Sequence, residues 1–180
     1  PLEALYLELG CKPLRFNLMA RRVNYLYYIL NLKEDDLLLK VFDAQMKNPV
    51  KGDWVLQVTE DLKMLNITLD FKEIKKMKKH SFKNLVKDKA NMAALKYLNE
   101  FKVKHSKMDN LTYNLPNIQP YLSSTKIYPQ LAKELFKWRT RMAKFKVNFR
   151  NGSEDIQCPF GCLHDDSQDL ILKCPVLMSH

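Results

Sequence analysis

The sequence predicts a mainly α chain: a helical bundle with a long irregular connection and a small C-terminal appendage built on clustered cysteines. Three observations carry this expectation. Only four glycines occur among 180 residues. Apolar residues recur mostly at three- and four-residue steps, the period of a helix rather than of a strand. Near the C-terminus, Cys158-Pro-Phe-Gly-Cys162 is followed by Cys174. At 46% apolar composition the chain can bury one compact core of ordinary size and still carry an appendage.

The first helix is expected from Pro13, whose missing N–H costs nothing at a helix start, to about Leu30. Arg15, Arg21 and Arg22 are its main charges, and its many apolar side chains predict deep burial. A second helix opens at Glu34-Asp-Asp36, acids suited to the positive end of the helix dipole, and runs to about Met46 before Asn48-Pro49 breaks it. A third covers roughly Asp53 to Leu65. Asp70 and Glu73 then stand at capping-box spacing for a short lysine-rich helix, followed by a longer one from about Ser81 to Val103. In the longer helix Phe82, Val86, Ala90, Ala93, Tyr97 and Phe101 make one stripe, with Lys83, Lys87 and Lys102 off it. Residues 108–125 hold Pro116, Pro120, several asparagines and two serines, the composition of an irregular connection. The helical pattern returns from about Pro129 to Lys144. There Leu131, Leu135, Trp138 and Met142 share one face, and Lys133, Lys137, Arg141 and Lys144 another. Phe145-Lys-Val-Asn-Phe149 alternates as a short strand does, ahead of an Asn151-Gly152 turn. The chain thus divides into a helical region 1–107, the connection 108–125, a basic helix with a short extended segment 126–150, and the cysteine segment 151–180.

Charge is distributed unevenly. The net charge is +10, from 30 Lys+Arg against 20 Asp+Glu. Residues 71–107 hold twelve lysines and three acids, residues 126–150 eight bases and one acid, and residues 151–180 five acids and one lysine. A polyanion, nucleic acid or an acidic membrane surface, is the natural partner of such a basic middle. No apolar run approaches the roughly 20 residues that span a bilayer, and the start lacks a secretion signal, so no membrane partner is expected. The missing initiator methionine is expected of a chain cut from something longer. One isolated cysteine, Cys11, and three clustered ones fit reduced thiols or a metal better than a secreted disulfide framework, which points to an intracellular compartment, nuclear or cytoplasmic.

Lys72, Lys75, Lys76, Lys79, Lys83 and Lys87 would form a phosphate-neutralising ridge if the two helices carrying them align; the bland alternative is a solvated helix face. Around Trp138, the cations Lys137, Arg139, Arg141 and Lys144 surround an aromatic ring. Because Trp138 shares a stripe with Leu131, Leu135 and Met142, it reads as core, and Arg139 and Arg141 are the stronger contact candidates. Cys158, Cys162 and Cys174 offer three zinc ligands, since a short reverse turn aims paired thiolates at one ion. The fourth ligand is either His180, at the better spacing, or His164; without a metal, the three cysteines would pack as small apolar groups. Asp35-Asp36 reads as a helix start and Asp165-Asp166 as a turn. With no phosphate-binding loop, nucleophile elbow or His-Glu-x-x-His, no catalytic constellation is visible.

Several segments together resemble one family. Leu5-Tyr-Leu-Glu-Leu-Gly10, Pro13-Leu-Arg-Phe16 and Arg21-Arg-Val-Asn-Tyr-Leu26 are similar to the stretch just downstream of the reverse transcriptase in non-LTR retrotransposons, especially Dong-like elements with a restriction-like endonuclease. Asn48-Pro-Val-Lys-Gly-Asp-Trp54, His80-Ser-Phe-Lys83, Phe136-Lys-Trp-Arg-Thr-Arg-Met142 and the cysteine cluster continue the resemblance in order. It implies a polymerase thumb at the start, a helical linker and a zinc knuckle, with both catalytic centres of the parent polyprotein outside these residues. It also implies a role in holding element RNA or target DNA while a nicked strand primes reverse transcription. The family's knuckle carries a histidine a few residues before its last cysteine, where this chain has Leu170, which cannot bind zinc. The rival expectations are a host-used helical module that docks another protein and a transposon relic without function.

Overall fold

The computed structural model describes residues 2–105, 108, 111, 117–124, 126–145, 156–167 and 170–179, with backbone only at 171 and 172. The chain is mainly helical, and no strand occurs among the described residues. Packing divides it into two compact units, Lys12–Phe101 and a second built from Pro1–Cys11 together with Lys102–His180. The reading that kept residues 1–107 in one region did not foresee that the first eleven residues group with the C-terminal part.

The unit Lys12–Phe101 is organised around α2 (Leu14–Leu30), which packs on α3 (Leu37–Lys47), α4 (Trp54–Met64) and α5 (Phe71–Lys76). Phe16, Val23, Leu26, Ile29 and Leu30 of α2 are buried with Phe42, Val58, Leu62 and Ile74. Each such side chain contributes about 1.5–3 kcal/mol by leaving water. Beyond the short α5, α6 (Lys79–Lys104) completes this core with Phe82, Val86, Ala90 and Ala94. The fully buried line of α6 continues to Leu98, while Ala93, Tyr97 and Phe101 are half-buried. The buried line therefore drifts away from the expected stripe, because each of its four-residue steps advances about 40° around the helix axis.

Local chemistry fixes the helix ends. The Asp36 carboxylate accepts the Leu38 N–H at 2.9 Å and starts α3. Asp70 and Glu73 form the expected capping box on α5, at 2.7 and 2.8 Å. Helix α4 stops where Asn66 takes φ +52, with the Ile67 N–H reaching back to the Leu62 carbonyl. Across the core, Arg22 grips the buried Asp61 carboxylate with two bonds, 2.6 and 2.9 Å, and Tyr27 donates to the Met77 carbonyl at 2.8 Å.

The other unit contains α1 (Leu2–Leu9), α7 (Pro120–Ser123), α8 (Pro129–Arg139), α9 (Leu170–Lys173) and α10 (Pro175–Met178). The sequence reading missed α1, which is only eight residues long and whose apolar pattern is interrupted by Glu8. That carboxylate is fully buried. It accepts from the Tyr121 hydroxyl and from Arg139 Nε at 3.0 and 3.1 Å, while the Glu8 carbonyl accepts the Gln119 N–H at 3.0 Å. Burial, then the Glu8 carboxylate, pushes the Tyr121 phenol well above its ordinary value. Gly10 is obligatory: its φ is +57, and a Cβ there would lie 2.2 Å from the Asn117 carbonyl oxygen.

Helix α8 corrects a second expectation. It ends at Arg139, short of Lys144. Arg141 takes φ +52, its N–H bonds the Trp138 carbonyl, and the Met142 N–H reaches the Lys137 carbonyl at 2.7 Å. This is a Schellman stop, so Met142 and Lys144 lie beyond the helix on which the stripe placed them. Of the expected strand, Phe145 is coil and 146–149 fall outside the described residues, as does the Asn151-Gly152 turn.

Candidate functional site

Among the described residues two clusters concentrate the chemistry, one in each unit. The first lies between α2 and α6. A groove of about 560 Å³ is lined by Arg21, Asn24, Tyr25 and Tyr28 of α2 and by Lys79 and Lys83 of α6. A smaller one of about 300 Å³ shares Arg21 and Asn24 with it and adds Lys12, Asn17 and Lys87. The deep burial expected for α2 therefore holds on one side only. Leu14, Leu18, Arg21, Tyr25 and Tyr28, at three- and four-residue steps, remain exposed on another.

The three arginines of α2 divide their work. Arg22 is bound to Asp61, and Arg15 lies over the Tyr97 ring at 3.7 Å, whereas Arg21 stands exposed at the junction of the two grooves. Lys12 feels its surroundings: burial, and then the charge of Lys87, lower its ammonium below the ordinary lysine value. This edge of the groove is accordingly electropositive, without an acid among its lining residues.

Of the lysines predicted from sequence, Lys79, Lys83 and Lys87 are brought into these grooves. Lys72, Lys75 and Lys76 are exposed on α5 but line neither groove. In the second unit, Lys137 is paired with Glu134 at 2.6 Å, and the Arg139 guanidinium is engaged by Glu8. Arg141 is half-buried in its left-handed turn, and Lys144 is exposed. Trp138, expected in the core, is 36% exposed and sets its ring at 90° to Phe145, 5.4 Å away. No α8 side chain is buried, so this helix has no sealed apolar stripe for Trp138 to join.

The second cluster is the cysteine segment. A bridge between Gln157 and Asp165 folds residues 157–165 back on themselves, with the Cys158 N–H donating to the His164 carbonyl at 3.0 Å. Gly161 supplies the turn at φ +78. The sulfurs of Cys158, Cys162 and Cys174 lie within 4.8 Å of one another, with Cys158 and Cys174 at 4.0 Å. Tetrahedral zinc with sulfur ligands at about 2.3 Å requires sulfur separations of about 3.8 Å, so the set fits a metal ion with small adjustments.

Backbone groups already address these sulfurs, as the Phe160 N–H points at Cys158 Sγ from 3.3 Å. Burial pushes the Cys158 thiol up, but this donor and those from Cys162 and Cys174 outweigh it and hold the thiol below its ordinary value. Cys162 moves oppositely, to about 11, chiefly through burial, with the sulfurs of Cys158 and Cys174 adding to it against the His164 N–H. His164 contributes backbone rather than its ring, which is exposed and outside the sulfur cluster. His180 falls outside the described residues. Leu170, standing where the resemblance calls for a histidine, is buried against Cys158 and Cys174.

The sequence reading missed Arg21, Asn24, Tyr25 and Tyr28 as groove residues because the many apolar side chains of their helix predicted deep burial. A signal was present: Asn17, Asn24 and Asn31 recur at seven-residue steps, marking a polar line along one side of α2. No protein-family model, no curated protein and no solved structure matches the chain.

Proposed function

We propose that this chain is a nucleic-acid-binding helical module, a post-polymerase fragment of a non-LTR retrotransposon polyprotein that holds element RNA or target DNA during target-primed reverse transcription. The observation that carries the nucleic-acid reading is the convergence of Arg21 with Lys79, Lys83 and Lys87, from two different helices, on one acid-poor groove system. A solvated helix face needs no such convergence; a phosphate backbone does. The parentage rests on the ordered sequence resemblance, and the reading assigns no reaction to these residues. Zinc is proposed for the second cluster, held by Cys158, Cys162 and Cys174. Bound there, it would cross-link the folded-back segment to α9 and α10, a structural contribution. With Leu170 packed at the expected ligand position, the remaining coordination site would fall to another donor.

The test is binding of the full chain to an RNA hairpin and a DNA duplex across a salt series. Affinity is expected to fall steeply with salt. Changing Lys79, Lys83 and Lys87 together to Ala should flatten the slope on duplex DNA by about 0.9 for each phosphate deprived of its cation. A folded protein that binds neither probe at low salt would sink the reading and favour a protein-docking module.

A further inference from the structure

The groove between α2 and α6 contains more than cations. Tyr25 and Tyr28 stack at 5.7 Å between ring centroids, with 21° between their planes. Trp54 meets Tyr25 edge-on at 5.8 Å and 87°, which fixes the inner ring, while Tyr28 keeps 53% of its surface exposed. Beside the pair, Asn24 Oδ1 is buried and has no hydrogen-bond partner among the described residues. A buried carbonyl oxygen without a donor is costly, and this one belongs to a residue shared by both grooves. The site therefore offers a flat aromatic platform, a row of cations and one acceptor in want of a donor.

We propose that this groove binds single-stranded nucleic acid, with a base stacked on the exposed Tyr28 face of the tyrosine pair. Phosphates follow Arg21, Lys79 and Lys83, and a donor of the strand, either a base amino group or a ribose hydroxyl, meets Asn24 Oδ1. The proposal rests on the nucleic-acid reading of the same face and narrows it. Cations alone serve a duplex as well as a single strand, but a duplex keeps its base faces covered, so only an unpaired base can use the tyrosines. A merely acidic peptide would use the cations and leave both the platform and the amide idle.

The experiment measures the full chain against short oligo(U), oligo(dA) and oligo(dT) strands, a duplex of equal length, and polyglutamate as an anion without rings. Tyr28→Leu should weaken the single strands roughly tenfold, within the range for loss of one base–aromatic stack. The duplex should change less than about threefold, with the salt slope unaltered. Tyr28→Phe, which keeps the ring, should restore binding, whereas a folding defect in the leucine variant would weaken the duplex as much as the single strands. Asn24→Leu should weaken oligo(dA) more than oligo(dT), if a base amino group is the donor, or oligo(U) more than oligo(dT), if it is the ribose hydroxyl, since uracil and thymine share the same imino N–H. Equal loss on duplex and single strands, no loss with Tyr28→Leu, or tightest binding to polyglutamate would overturn this proposal and leave the phosphate reading to the lysine variants. An Asn24→Leu protein that loses nothing on any strand would remove the amide from it. Failure of the folded wild-type chain to bind any nucleic acid would overturn both readings.

Discussion

At the scale of single residues, the most consequential departure from expectation is Arg139. Its position in a basic run suggested phosphate contact, yet its guanidinium lies on a carboxylate that is completely out of water. Removing one member of such a pair leaves the other charge buried and uncompensated, a loss on the order of 3 kcal/mol or more. Arg139→Ala should therefore lower the urea midpoint markedly while leaving the salt slope of nucleic-acid binding unchanged. A variant of normal stability with a flatter slope would return Arg139 to the binding surface. Glu8, its partner, could not be recognised from sequence. A lone acid on a short apolar helix looks like a solvated residue until Tyr121 and Arg139, more than a hundred positions away, are placed beside it.

The helices were legible where their ends carry chemistry. Asp36 and the Asp70–Glu73 box announced α3 and α5 because side chains that satisfy helix N–H groups are short-range features. The end of α8 was not legible, because Arg141 occupies a left-handed position that glycine or asparagine would ordinarily mark. Arg141→Gly should consequently stabilise the protein, by about 0.5–1 kcal/mol, read as a higher urea midpoint at constant m-value. No gain, or a loss, would mean that the Arg141 side chain makes interactions worth more than its backbone strain. The candidate groove was half legible for a related reason. Charge is visible along one helix, so Lys79, Lys83 and Lys87 stood out, whereas a groove requires two helices, and the tyrosines of α2 look equally suited to core or surface.

On the scale of the whole molecule, the two clusters make separable predictions. The cysteine cluster gathers its apolar support from Leu170 and Leu177, close by in sequence. The purified chain should take up about one zinc ion, and Cys174→Ser should abolish uptake while the helical circular-dichroism signal of α2 through α6 persists. Zinc retained by that variant would place the ion elsewhere. No helix of the described residues is long and apolar enough to cross a membrane.

The buried pairing of Glu8 with Arg139 also has a consequence in time. The two residues are 131 positions apart. At the usual pace of about 5–20 residues per second, a ribosome releases the arginine roughly 7–26 s after the glutamate. The opening helix must wait, its carboxylate in water, while all of Lys12–Phe101 is synthesised between the two halves of its own unit. The earlier-made part of this unit is thus among the last to reach its final place.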